Sequence, residues 1–232
     1  MTITQMHTKF DFLFDKMATF SAPELSPADK DLILNIAQDD LIESLTKKGV
    51  EKNQEYTDYL KNIIVPYFST SFFTDGFSKP NGVYVQLPSD YRTSVLEYVD
   101  IEYLNCKNVL TSKKTQIKPI TRDYYNITQK DPFNSPWKEE VHRIAVGLKQ
   151  DDPRNPYRES FELISPNTIT KYYLDYIKNP RAMNFSALTD CELGEKAQNK
   201  IIELGVFNSI KILKPELLEA DVLHQKTKTE YI

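Results

Sequence analysis

The stretch YYLDYIKNPRAMNF, Tyr172–Phe185, decides between fold classes. Tyr172, Leu174 and Tyr176 alternate with Tyr173, Asp175 and Ile177, a period of two that sends successive side chains to opposite faces of a strand. One face is expected to be buried and the other partly covered. Asn179-Pro180 ends the run, because proline has no N–H for the ladder and a fixed φ. Pro180 then turns the chain toward a closing helix, so this is the last strand of a sheet.

Upstream, VYVQLP alternates in the same way, and TSVLEYVDIEYL, rich in β-branched and aromatic residues, KKTQIKPI, EVHRIAVGL and RESFELIS are further strand candidates. In TSVLEYVDIEYL the positions Val95, Tyr98 and Ile101 do not alternate cleanly, which implies a bulge or a strand buried on both faces. A short helix capped by Thr121 is expected within TRDYYNITQKDPF. The segment PYFSTSFFTDGFSKPNG reads as an aromatic loop or hairpin. Its Phe72, Phe73 and Phe77 follow neither helical nor strand spacing, so they are expected to reach a neighbouring chain.

Both ends of the chain are helical. Ile3, Met6, Phe10, Leu13, Phe14 and Met17 form one apolar stripe over residues 2–19. Ser26-Pro27-Ala28-Asp29 starts a second helix, with Leu32, Ile33, Ile36, Ala37, Leu41 and Leu45 expected on its buried side and Gly49 as its stop. A third helix is expected over Asn53–Ile64, ending before Pro66. Near the C-terminus, Thr189 or Asp190 is expected to cap a helix whose stripe is Ile201, Ile202, Leu204, Gly205 and Ile210. The order helices, strands, helices predicts an α+β fold, an antiparallel sheet or small sandwich flanked by helices from both termini. It divides the chain into residues 1–65, a helical region; 66–185, a central antiparallel β region with the aromatic loop; and 186–232, a C-terminal helix and tail forming one unit with the N-terminal helices.

With 232 residues, of which 40% are hydrophobic and 27% charged, the chain can bury a sizeable core without staples. Its 14 Tyr and 12 Phe exceed the needs of one core and suit β surfaces and protein contacts. The net charge of −4 gives no basic face for nucleic acid; Lys113, Lys114 and Lys118 are expected on a solvated loop or edge strand. The N-terminus lacks the order of a signal peptide, and no apolar run reaches the roughly 18 residues of a membrane span. Cys106 and Cys191 are far apart and support neither a zinc site nor a disulfide. Together these predict a soluble chain that matures in a reducing cytoplasm.

Chemistry is sparse. No phosphate-binding glycine loop or nucleophile elbow occurs, and nothing selects a triad partner for His7, His142 or His224. In DPFNSPWKEEVHR, Asp131, Glu139, Glu140 and His142 could form an acid–base or hard-metal site, with Glu140 and His142 on one strand face; a solvated strand face is the plainer reading. Asp39, Asp40 and Glu43 read as the wet side of a helix. Phe133 and Trp137, in a backbone stiffened by Pro132 and Pro136, are either lids on the local core or anchors of a protein contact. No cofactor or metal is implied, and no enzymatic activity.

Several segments occur together in one order: ADKDLILNIAQDDLIESL, LPSDYRTSVLEYVDIEY, DYYNITQKDPFNSPW, EVHRIAVG, FELISP, YYLDYIKNPRAMNF and CELGEKAQNKIIELGVFNSI. This set resembles the head-to-tail connector proteins of crAss-like short-tailed phages, over roughly residues 30–210. The likeness departs at CELGEK, where Gly194 interrupts the closing helix. The resemblance implies a virion structural protein without an active site, forming a homo-oligomeric ring, commonly twelve-fold, made in the host cytoplasm. It implies contacts with the portal and other tail ring proteins and a conduit for genomic DNA, with no membrane. An acidic conduit wall would not retain DNA, since retention scales with neutralised phosphates. Other phage assembly factors, head-completion or fibre-docking proteins, share this composition, and a metal-dependent hydrolase using Asp131, Glu140 and His142 is the enzymatic alternative.

Overall fold

Seven strands form one curled, mixed sheet: β1 (Ile64–Ser69), β2 (Gly82–Gln86), β3 (Tyr91–Leu104), β4 (Leu110–Pro119), β5 (Val141–Lys149), β6 (Tyr157–Ile164) and β7 (Thr168–Lys178). They lie in the order β1-β7-β3-β4-β5-β6-β2. With helices α1 (Ile3–Met17), α2 (Pro27–Lys47), α3 (Arg122–Lys130) and α4 (Glu195–Leu213), the fold is α+β, as the order of elements predicts. The protein is described by a computed structural model covering residues 1–17, 24–47, 58–74, 78–131, 133, 136, 139–149 and 157–213. Among these, no helix is long and apolar enough to cross a membrane. Two compact units result, Ile64–Asn179 and the joined segments Met1–Ile63 and Pro180–Ile232.

In the sheet unit, β7 sits between β1 and β3, which explains its tyrosines. Tyr172, Leu174 and Tyr176 are buried, while Tyr173 and Asp175 are half-buried. The long β3/β7 pairing shifts register at three places, between Tyr91 and Thr93, Ser94 and Leu96, and Asp100 and Ile101. Such register shifts accord with the first of the two readings of the broken alternation in β3, a bulged strand. Val85, Val99, Ile117, Val141, Leu163, Tyr172 and Leu174 share one core cluster drawn from six strands. β4 and β5 run parallel, pairing Ile117–Val141 to Pro119–Arg143, whereas the other strand pairings are antiparallel. The connection across that parallel pair contains α3, whose Tyr124 N–H donates to the Thr121 side chain (3.3 Å).

Two expectations need correction. Ile64 does not close a third helix: residues 58–60 are helical, and Ile64–Ser69 is the edge strand β1. Pro66 lies inside it opposite Asp175, tolerated because an edge strand has one side that need not donate. The C-terminal helix starts at Glu195, beyond Gly194. Asp190 instead caps α1, its Oδ1 accepting from Ile3 N–H at 2.6 Å across 187 residues of sequence.

In the helical unit, Ser26 and Asp29 form the expected reciprocal cap: Asp29 N–H donates to Ser26 Oγ (3.2 Å), and Ser26 N–H to Asp29 Oδ2 (3.3 Å). The buried face of α2, however, is Asp31, Leu34, Ala37, Gln38, Leu41 and Ile42. Leu32 and Ile36, expected inside, are 60% and 49% exposed. Asp31 and Gln38 can be buried because each is partnered. Asp31 lies 2.9 Å from His7 Nε2 and accepts from Phe185 N–H (2.9 Å), while Gln38 accepts from Cys191 Sγ–H (3.3 Å). Gly205 of α4 lies close against α1 and α2. A Cβ there would sit 3.3 Å from an Ile33 methyl and 3.5 Å from the Phe10 ring.

Candidate assembly surfaces

The acidic–histidine group does not assemble into a site. Glu139 is tied to Lys113 by a short charge-assisted contact. Glu140 is exposed, but His142 is fully buried and neither ring nitrogen has a hydrogen-bond partner. The expectation that Glu140 and His142 share a face therefore fails: Glu140 precedes β5, and the strand takes only His142 inward. Burial, and then the Lys118 ammonium, hold the His142 imidazole below its ordinary pKa, which leaves it neutral. Among the described residues, no group of three or more His, Cys, Asp and Glu could hold a metal ion. His224 lies outside the described residues, and His7 is occupied by Asp31 and stacked on Phe185 (4.9 Å between ring centroids).

Charge inside the sheet unit is structural. Glu97 Oε2 accepts from Tyr172 Oη–H (3.3 Å) and lies 3.3 Å from Arg143 Nε, an ion pair without an aligned hydrogen bond. The Arg143 guanidinium also stacks 4.0 Å from the Phe161 ring centroid. Burial, and then the Glu97 charge, push the Tyr172 phenol well above its ordinary range. Glu162, fully buried, accepts from Lys79 through both the backbone N–H (2.6 Å) and Nζ (2.7 Å).

The aromatic residues singled out in the sequence divide. Phe72 is half-buried against the sheet core. Phe73 bridges Tyr84, with both backbone hydrogen bonds made (3.1 and 2.8 Å) and the rings 5.5 Å apart. Both make contacts within their own chain and keep part of their surface exposed. Phe133 is 87% exposed. Phe77 and Trp137 lie outside the described residues.

Three apolar surfaces escaped the sequence reading. A groove of about 580 Å³ between α2 and α4 is lined by Leu25, Leu32, Ile33, Ile36, Ile212 and Leu213. On the sheet, Phe68 and Leu96 are exposed beside Lys114, whose ammonium lies 4.1 Å from the Tyr173 ring centroid and 5.2 Å from that of Tyr98. At the tip of the β3–β4 hairpin, Leu104, Val109 and Leu110 are all more than half exposed. The helix α2 held the clue to the groove, since it is apolar on two faces and only one can turn inward.

Among the described residues the features that stand out are these exposed apolar surfaces. The chain belongs to the phage tail ring protein 3/4 family, whose sequence model matches residues 1–218. It is also 25% identical to "Ring protein 4/5" of Bacteroides phage crAss001, over 96% of this chain and 91% of that protein. The chain is thus a structural tail ring protein of the crAss-like phages, a component of the virion.

Proposed function

We propose that this chain forms a closed, twelve-fold homo-oligomeric ring in the head-to-tail connector. There it extends the DNA conduit from the portal and docks further tail components, with no catalytic role. The carrying observation is a family match that spans both compact units, residues 1–218. The exposed apolar surfaces support it, because a soluble monomer seldom leaves several such patches without a partner. A net charge of −4 suits a wall that DNA must slide past. Phe133, with Phe72, Phe73, Phe77 and Trp137, is assigned to contacts with a neighbouring subunit or tail protein. The chain is made in the host cytoplasm before it enters the virion.

Native mass spectrometry and particle imaging, on the chain alone and with portal and other tail ring proteins, test this reading. A ring-sized species, alone or formed with a partner, is expected. A monomer under every condition overturns it, and six or fewer copies per virion would instead favour a head-completion or fibre-docking protein. Phe133→Ser should weaken assembly while leaving the thermal midpoint unchanged, since an 87% exposed ring contributes little to folding.

A further inference from the structure

A ring of identical copies needs two different, complementary surfaces on each chain, because a head-to-tail contact joins one patch to another and closes when the rotation closes. Two of the apolar surfaces described above have complementary forms, a hairpin tip and a groove. The first is the β3–β4 tip. Leu104 and Leu110 stand opposite each other in the ladder, and Val109 adjoins them. Their exposures are 58%, 62% and 55%. The turn between them is held firmly: the Asn105 side chain accepts from Lys107 N–H (2.8 Å) and Val109 N–H (3.1 Å), and Asn105 O accepts from Asn108 N–H (2.9 Å). Asn108 takes the left-handed conformation, φ 56°, that closes the turn. A tip ordered in advance loses little freedom on docking.

The concave surface is the groove between α2 and α4, about 580 Å³ in volume and apolar along Leu32, Ile33 and Ile36. Asp29 and Lys211 both line the groove, and the exposed Asp40, which accepts from the side chain of the lining residue Asn208 (3.3 Å), leaves its surroundings with one more negative than positive charge. The tip carries Lys107, exposed, so apolar meets apolar and the cation meets that net negative charge.

We propose, resting on the ring reading above, that the β3–β4 hairpin tip of one copy seats in the α2/α4 groove of the next. Leu104 and Leu110 meet Leu32 and Ile36 there, and this contact propagates the ring. A native reporter exists: Cys106, on the tip turn, is an exposed free thiol, whereas Cys191 is buried. Leu32→Cys, in the groove, supplies its partner.

The full-length chain carrying Leu32→Cys and Cys106→Ser is mixed with a size-tagged wild-type chain under assembling conditions and treated with a short bismaleimide. A mixed cross-linked dimer is the expected product. The chain with both thiols, Leu32→Cys and native Cys106, should give a ladder of trimers and longer species. Leu110→Asp in the wild-type partner should cut the mixed cross-link at least tenfold and abolish the ring by native mass, with its circular dichroism melt unchanged. Any of these results overturns the proposal: an intrachain cross-link without a ladder, rings that form and cross-link equally with Leu110→Asp, or a groove thiol closed to both Cys106 and a small maleimide. The last would assign the groove to the chain's own residues 214–232. Rings without the cross-link sink only this contact, whereas the absence of any ring sinks the ring reading itself.

Discussion

Replacing His142 by leucine is expected to leave the protein about as stable as before at pH 7, or more so. The ring is wholly buried on β5, facing Ile164 of β6 and Lys118 of β4 in the ladder, and neither nitrogen is hydrogen-bonded. A buried polar group left unsatisfied costs about 1–3 kcal/mol. A near-isosteric apolar replacement relieves that at a packing cost under about 1.5 kcal/mol. The net effect should lie between a loss of about 0.5 kcal/mol and a gain of about 3 kcal/mol. The pH dependence follows from the depressed pKa, set by burial and then Lys118, with Glu140 opposing. The unfolded chain takes up a proton near pH 6.5, whereas the folded ring resists it to lower pH. Wild-type stability therefore falls as pH drops from about 6.5 toward the folded value, with a slope of at most ~1.4 kcal/mol per pH unit, and no further loss comes from this group below that value. Urea unfolding of both proteins between pH 8 and pH 5 measures the difference directly. A loss above about 2 kcal/mol for His142→Leu at pH 7, with unchanged m, would mean that the ring nitrogens hold a hydrogen bond. Difference curves flat with pH would mean that the ring is not desolvated.

Asp190→Ala removes the carboxylate that caps α1 from a distance, so the melt should fall by an amount equivalent to about 1 kcal/mol, and Asp190→Asn should keep most of it. Gly82→Ala places a Cβ 2.7 Å from Glu162 Oε1 and 2.9 Å from Lys79 O, which must shift the buried carboxylate; a loss of about 1–3 kcal/mol in urea unfolding is expected. Burial, and then its hydrogen bond to Asp90, push Tyr176 up to about 12, with Tyr172 higher still. Their protonated state stabilises the fold fully below the ordinary value of 10.0, and that support is lost as pH rises toward 12. Ultraviolet titration should show these two phenols ionising last, and Tyr176→Phe should flatten the alkaline limb.

The elements were legible where one face alone is apolar. β7 alternates because one side is buried, and α1 shows its stripe because its opposite side is charged. Cap chemistry was legible too, at Ser26 and Thr121, because donor and acceptor are neighbours in sequence. Pairings that depend on distant chain segments were not. Nothing near Asp190 shows that it meets Ile3, so the nearest helix claimed it. In α2 two apolar stripes compete, and the outcome is set by Asp31 and Gln38, which looked like solvent residues until His7, Phe185 and Cys191 supplied partners. Pro66 hid β1, since a proline argues against a strand unless that strand is an edge. Of the residues marked for contact, Phe133 is exposed, while Phe72 and Phe73 are half-buried, the first against the sheet core and the second beside Tyr84. The hairpin tip and the groove went unseen because exposure is a tertiary property that local spacing does not encode.

Placing the proposed ring contact on β3 and β4 also gives a physical role to the buried charges of the sheet. A β-strand that slips by one residue turns every side chain to the other face. Such a slip of β3 against β7 would carry Glu97 away from Tyr172 and Arg143 and turn Val99 and Ile101 out of the core. Arg143 would then be left inside without its counter-charge, and a broken buried pair costs about 3–5 kcal/mol. The hairpin extends from that same β3, so its tip is held at one height relative to the sheet. In a monomer this precision would serve only stability, which a wholly apolar core could provide as well. In a ring, a small offset at each contact accumulates around the circle and prevents closure. A register pinned by charge on the strand that carries the contact is what such a subunit requires.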